Sequence, residues 1–274
     1  MTASLTYRTI FLSDIHLGLR DSRADYLLDF LQHTESEYLY LVGDIIDFWK
    51  LRKGGRWTSM QANVLKLIIE KAESGTKVIY VPGNHDELVK EYHQTSFGGV
   101  EIQLEAIHTT EDGRKMLVLH GDEFDCIVMN NRWLAHLGSE AYDFLLWMNR
   151  SLNSIRGRLG MRYWSLAKYL KQRVKDAVSY ISSYQDAVVR MAKEKGVDGV
   201  VCGHIHHATI SKYGDLEYIN CGDWVESCTA IAETETGEFK LIHWVEDSFH
   251  LLNREEVEEL NANSDSDRRL VSAG

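Results

Sequence analysis

One proline in 274 residues, four cysteines without a Cys-x-x-Cys pair, and no apolar run long enough to cross a bilayer set the first limits. So little proline argues against a disordered or polyproline-type chain. The cysteines (Cys126, Cys202, Cys221, Cys228) lack the spacing of a zinc site or disulfide framework, so they read as reduced, buried thiols. A membrane-spanning helix needs at least ~18 apolar residues in succession. The opening Met1-Thr2-Ala3-Ser4-Leu5-Thr6 has neither the basic nor the apolar region of a secretory signal. The expectation is a cytoplasmic protein that can rest on the inner membrane face. Positive charge is also short: 30 Lys and Arg against 41 acids give a net charge of -11, so nucleic acid is not the expected partner.

What is present is a succession of short β-branched and aromatic runs, each stopped by a polar turn. Thr9-Ile10-Phe11-Leu12 leads into Ser13-Asp14-Ile15-His16, and Tyr38 to Val42 into Gly43-Asp44-Ile45-Ile46-Asp47. Val78 to Val81 is stopped by Pro82-Gly83 and followed by Asn84-His85-Asp86. Between these runs Ala24–Leu31 and Met60–Ala72 carry apolar residues at helical spacing, and Gly75 closes the second helix. This β-α-β-α-β order predicts parallel strands with right-handed crossovers. Further strands are expected at Lys115–Leu119, ending in His120-Gly121-Asp122, and at Val197–Cys202, ending in Gly203-His204-Ile205-His206. From Ala208 to Val245 short strands with glycine turns predict antiparallel hairpins. The expected architecture is α/β, as a mixed sheet or a two-sheet sandwich with helices outside.

Residues 126–185 interrupt this order. They carry nine Lys or Arg against three acids, a local +6 that leaves -17 to the rest. Trp133, Trp147 and Trp164 lie among Leu, Met and Tyr at helical spacing. The segment reads as a helical cap, or as an amphipathic pair packed on the core with a solvated basic face. The main domain would run over 1–253, and the acidic, then Ser/Asn/Asp-rich 254–274 reads as a flexible tail.

Five strand-terminal turns thus offer Asp14 and His16, Asp44, Asn84, His120, and His204 with His206. A lone histidine among twelve is more often a packed or surface residue than a ligand. Five such turns in one chain are another matter. Hard oxygens mixed with imidazoles suit Mn²⁺, Fe or Zn²⁺ better than Mg²⁺ or Ca²⁺. Extended backbone would aim residues i and i+2 to one side, so Asp14/His16 and His204/His206 would each converge. Asp44, in the middle turn, is the natural carboxylate bridge between two cations ~3.5–4 Å apart. Such a pair would acidify a bridging water into an attacking hydroxide, with His85, next to the ligand Asn84, as the acid/base group.

The motifs D-x-H, G-D-x-x-D, G-N-H-D, H-G and G-H-x-H, spread over positions 14–206, resemble those of the calcineurin-like metallophosphoesterase superfamily. The resemblance implies an αββα sandwich with two divalent metals, Mn²⁺ above Fe or Zn²⁺, at the sheet rim. One would take Asp14, His16, Asp44 and His206, and the other Asp44, Asn84, His120 and His204. Asn84, His85 and His204 would also meet the substrate, and Asp47 would orient His85.

Within the superfamily the chain looks most like the UDP-2,3-diacylglucosamine pyrophosphatases of lipid A biosynthesis, in Gly43–Trp49, His120-Gly121-Asp122, the helical insertion and Gly222-Asp223-Trp224. Those enzymes split a nucleotide-linked glycolipid into UMP and an acylated sugar phosphate. Arg156, Arg158, Arg162 and Lys168 of the insertion would meet phosphates while apolar helix faces hold acyl chains. Two positions depart from that group: His85 stands where it has arginine, and Val128 where it has a substrate-contacting aspartate. A general small-molecule phosphodiesterase is the enzymatic alternative, and a catalytically silent metal-bearing scaffold the non-enzymatic one.

Overall fold

The computed structural model describes residues 5–125, 166–248 and 250–252, the side chains of 166–174 and 176 excepted. Strands β1 (Leu5–Leu12), β2 (Thr34–Val42) and β3 (Lys77–Val81) lie parallel and adjacent. Helices α1 (Ala24–Gln32) and α3 (Ser59–Glu73) make the crossovers, and a short α2 (Phe48–Arg52) precedes the second. The hairpin of β4 (Ser96–Phe97) and β5 (Val100–Ile102) extends the sheet beyond β3. On the other flank β11 (Thr229–Glu233) joins β1 antiparallel, followed by β12 (Phe239–His243), giving the order β12-β11-β1-β2-β3-β5-β4. The second sheet has five strands in the order β6-β7-β8-β10-β9. These are β6 (Ala106–Thr109), β7 (Lys115–Val118), β8 (Gly199–Cys202), β9 (Thr209–Tyr213) and β10 (Leu216–Asn220).

Side-chain alternation explains why β1 to β3 read as unbroken apolar runs. Ile10, Leu12, Leu39, Leu41, Val78 and Tyr80 face one way, onto Leu27, Phe30, Val64 and Ile68 of α1 and α3. Phe11, Tyr40, Val42, Ile79 and Val81 face the other way, onto Met116, Val118, Val201 and Ile219 of the second sheet. Both faces are covered, so neither needs polar residues. The result is the expected pair of mixed sheets flanked by helices.

A buried polar cluster also links the sheets away from the motif turns. Glu233, fully buried, accepts from Thr9 Oγ1 at 2.7 Å and the backbone N–H of Glu111 at 2.8 Å. Arg8 Nη1 lies 3.1 Å and His108 Nε2 2.7 Å from the same carboxylate.

By compactness the chain divides into Met1–Asp122 with Met191–Gly274, and Glu123–Arg190. In the second unit the Tyr180 hydroxyl donates to Asp125 Oδ1 at 2.7 Å, and Phe124 meets Tyr184 edge-on. Helix α4 (Leu166–Lys195) runs through the later part of the insertion expected at 126–185. The rest of that insertion, with Arg156, Arg158, Arg162 and the Lys168 side chain, lies outside the described residues, as does the tail 254–274. No described helix is long and apolar enough to cross a membrane. Cys202, Cys221 and Cys228 are buried free thiols, and Cys126 is outside the described residues.

Candidate metal centre and active site

All five motif turns leave the C-terminal ends of β1, β2, β3, β7 and β8, and backbone bonds join them beyond the sheets. Asp14 N donates to Gly43 O at 3.0 Å, His16 N to Asp44 O at 2.8 Å, and Gly203 N to His120 O at 3.2 Å. Trp224, fully buried, donates its backbone N–H to Asp14 O at 3.1 Å. Asn220 supports the last turn, its amide donating to Gly203 O at 2.6 Å.

The extended i, i+2 geometry expected for D-x-H and H-x-H is not what the chain adopts. Asp14, His16, Asp44, His204 and His206 all have positive φ, between 50° and 71°. A side chain in this region costs of order 1–3 kcal/mol, and such residues cluster at functional sites. The left-handed steps turn each loop back over the strand ends, so its side chains converge. Glycine clears the space between them. A Cβ on Gly83 would sit 2.6 Å from His120 Nε2, one on Gly203 would sit 2.6 Å from Asp14 Oδ2, and one on Gly43 would collide with the His120 ring.

Donor atoms of Asp14, His16 and His206 lie within 4.8 Å of one another, as do those of Asp44, His120 and His204. Asp44 Oδ2 faces both groups, 3.8 Å from His16 Nε2 and 3.5 Å from His120 Nε2. Its other oxygen accepts the His85 backbone N–H at 2.8 Å. Asp14 Oδ1, His16 Nε2 and Asn84 Oδ1 are buried without a hydrogen-bond partner among the described residues. Buried polar atoms rarely stay unsatisfied, and a cation's ligand shell would satisfy atoms of this kind. The mixed oxygen and imidazole set suits a divalent transition metal, and no thiol enters it.

The charges of these groups compensate one another. Burial alone would raise the Asp14 carboxyl, but His206, 3.2 Å away, holds it below the usual range. Burial would depress His206, yet the same carboxylate pushes it up to about 9. Burial would likewise raise Asp44, and His120 and His16 outweigh it and hold the carboxylate down.

A third group brings His16, Asp47 and His85 together, with Asp47 hydrogen-bonded to His16 and in ion-pair contact with His85. Asp47 Oδ2 lies 3.3 Å from His16 Nδ1, and Oδ1 lies 3.2 Å from His85 Nδ1. Oδ1 also accepts the Lys50 N–H at 2.8 Å and so caps α2. One carboxylate thereby leaves the Nε2 atoms of two imidazoles free to face the centre. Trp49 covers His85, ring centroids 4.1 Å apart.

Two supports were not read from the sequence. Asp86 staples the second turn to the third: its fully buried carboxylate accepts Gly83 N at 2.5 Å, Ile45 N at 2.8 Å and the Tyr80 hydroxyl. Burial raises its pKa, and Asp44 adds to the rise. Its place as the fourth residue of G-N-H-D was the available signal. The second is a basic stretch just after Trp49. It carries Lys50, Arg52, Lys53 and Arg56, all exposed, so basic residues near the motif turns are not confined to the insertion.

The family model described as calcineurin-like phosphoesterase matches residues 7–208, a span that takes in all five turns. The chain belongs to the calcineurin-like phosphoesterases. As a member of that family it is a phosphoester hydrolase of the metal-dependent type. Its relatives include a UDP-2,3-diacylglucosamine hydrolase of Aliivibrio fischeri, 29% identical over 78% of this chain and 90% of the relative. Proteins of the same name from Vibrio atlanticus and Haemophilus influenzae are 28% and 26% identical, over 90% and 85% of this chain and 98% and 97% of theirs.

Proposed function

We propose that this phosphoesterase uses two divalent cations, Mn²⁺ by preference, to cleave the pyrophosphate of UDP-2,3-diacylglucosamine or a closely related nucleotide-linked lipid. Asp14, His16, Asp44 and His206 would hold one cation, and Asp44, Asn84, His120 and His204 the other. Bound there, the pair supplies charge neutralisation for the phosphate and an acidified water. The observation that carries the reading is Asp44 Oδ2 facing donors of both groups, 3.8 Å from His16 Nε2 and 3.5 Å from His120 Nε2.

The chain's own residues supply the proton. Asp47 fixes the His85 tautomer, with Nδ1 turned inward and Nε2 3.9 Å from Asp44 Oδ2. Burial would lower the His85 pKa, but the Asp47 bond and the Asp44 charge raise it above the usual imidazole value. A protonated His85 near neutral pH can donate to the oxygen leaving phosphorus. Similarity over 90% and 98% of the length of two relatives named for this substrate supports the lipid-linked assignment.

The test is hydrolysis of bis-p-nitrophenyl phosphate and of UDP-2,3-diacylglucosamine with Mn²⁺ added, each repeated in excess EDTA. Release of UMP from the lipid substrate, abolished by chelation, is the expected result. Cleavage of the chromogenic ester alone would leave the small-molecule phosphodiesterase as the reading, and activity in EDTA would refute the metal mechanism.

A further inference from the structure

Beside the catalytic turns the chain carries a second surface, basic in a protein of net negative charge. From Trp49 to Met60 every residue but Leu51 is exposed. The stretch holds Lys50, Arg52, Lys53 and Arg56 and no acid, in a protein of net charge -11. Among the described residues none of the four cations is paired with a carboxylate. Between and beyond them Trp49, Trp57 and Met60 stand 43%, 38% and 41% exposed.

The local fold forces this presentation. Phe48 and Leu51, three apart, form the inner side of α2, and Leu51 packs against Gly18 in the D-x-H turn. Trp49, Lys50, Arg52 and Lys53 are left facing out. The chain then folds back, Gly55 N donating to Lys50 O at 2.9 Å, and at Gly55 a Cβ would meet Lys50 O and Gly18 O. Thr58 and Gln61 close a capping box at the start of α3, and the Gln61 amide donates to Leu19 O at 2.9 Å. Both ends of the loop are thus fixed to the metal-bearing turns while its outer side has no partner.

We infer that residues 49–60 are a docking surface for an anionic lipid bilayer. Indole rings and a thioether beside lysines and arginines are the composition of an interfacial segment: the rings enter the headgroup layer and the cations meet lipid phosphates. A nucleic-acid track would extend basic charge across the catalytic face, and the surrounding negative charge opposes that. Trp49 lies against His85, so a bilayer touching this loop touches the rim of the active site. The inference deepens the lipid-linked substrate reading by naming the surface through which such a substrate would be met, but it is tested by lipid binding without turnover.

The experiment is co-sedimentation of the full-length protein with phosphatidylcholine vesicles containing about one third phosphatidylglycerol. Binding that weakens as salt rises is expected, with little on phosphatidylcholine alone. The triple variant Arg52→Glu/Lys53→Glu/Arg56→Glu should bind roughly tenfold or more weakly, with wild-type melting and wild-type hydrolysis of the soluble chromogenic ester. Trp57→Phe should shrink the blue shift of tryptophan emission on vesicle addition. Unchanged vesicle binding by the triple variant would overturn the inference. So would equal binding to neutral vesicles, or tighter binding to a single-stranded oligonucleotide than to the anionic vesicles. Vesicle binding without hydrolysis of any lipid-linked nucleotide would instead refute the substrate assignment and leave the docking surface standing.

Discussion

Asp47→Asn separates the two duties of one carboxylate. In the wild type Oδ1 serves both Lys50 N–H and His85 Nδ1, and Oδ2 serves His16 Nδ1. Asparagine caps a helix as well as aspartate does, so α2 should survive with the amide oxygen kept on the Lys50 and His85 side. The NH₂ must then face His16. A donor opposite Nδ1 turns that nitrogen into an acceptor and moves the ring proton to Nε2, the atom aimed at Asp14 and Asp44. A protonated Nε2 cannot ligate a metal, and losing such an orienting partner typically costs 10–100-fold in metal affinity. The assay is Mn²⁺ titration by calorimetry, with melting measured alongside. Weaker metal binding by about that factor at near-wild-type stability is expected, and turnover should recover partly at high Mn²⁺. If metal affinity is unchanged and only turnover falls, Asp47 serves His85 alone and the duty assigned toward His16 is wrong.

Three further outcomes follow from the geometry. His85→Ala should retain its metals while turnover drops ~10²-fold or more, the scale of a lost general acid; metal analysis beside steady-state kinetics checks this. Gly83→Ala should displace the His120 ring, and misplacement by about 1 Å can cost ~10²-fold in turnover; global stability should change little by comparison. Glu233→Gln should leave turnover intact but destabilise the protein by about 3 kcal/mol at neutral pH, since Arg8 loses a buried countercharge. Burial would raise the Glu233 pKa, but His108 and Thr9 hold it below its ordinary 4.5. This contribution is therefore full above about pH 4.5 and is lost as pH falls through the lower folded value, so the gap in melting temperature between wild type and variant should close on the acid side.

Legibility from the sequence followed burial. Strands β1, β2 and β3 announce themselves because both faces are covered, and the turn after each was read with its ligands because polar residues there break an apolar run abruptly. Helix α2 was not read: five residues with no buried side chain leave no period to detect. The β4–β5 hairpin was missed for the same reason, with Phe97 76% exposed on a two-residue edge strand. The left-handed conformations at Asp14, His16, Asp44, His204 and His206 were invisible because nothing in these residue types demands positive φ. That backbone is imposed by tertiary bonds between turns distant in the chain. Asp86 was legible as a motif letter but not as a staple, since its five donors come from two turns and a strand.

Whether the centre is assembled by its cations or exists before them can be decided from those same bonds. Five left-handed side-chain-bearing residues at roughly 1–3 kcal/mol each make a strained set, and the mutually facing carboxylates Asp14 and Asp44 add repulsion. Metal binding could offset both. However, the turns are held by groups that owe nothing to a cation: Trp224 N–H on Asp14 O, Asn220 on Gly203 O, Asp86 on Gly83 and Ile45, and Asp14 and His16 on the turn after β2. His206 and His120 also lie against the carboxylates and offset their charge. The centre is therefore preformed, and chelation should abolish turnover without unfolding the chain. Far-ultraviolet circular dichroism should be unchanged in EDTA, and the melting temperature should fall only by the binding linkage, about 3–4 kcal/mol of stability for metal at 100 to 1,000 times its dissociation constant. Loss of secondary structure on chelation would mean that the cations, not the backbone bonds, hold the turns together.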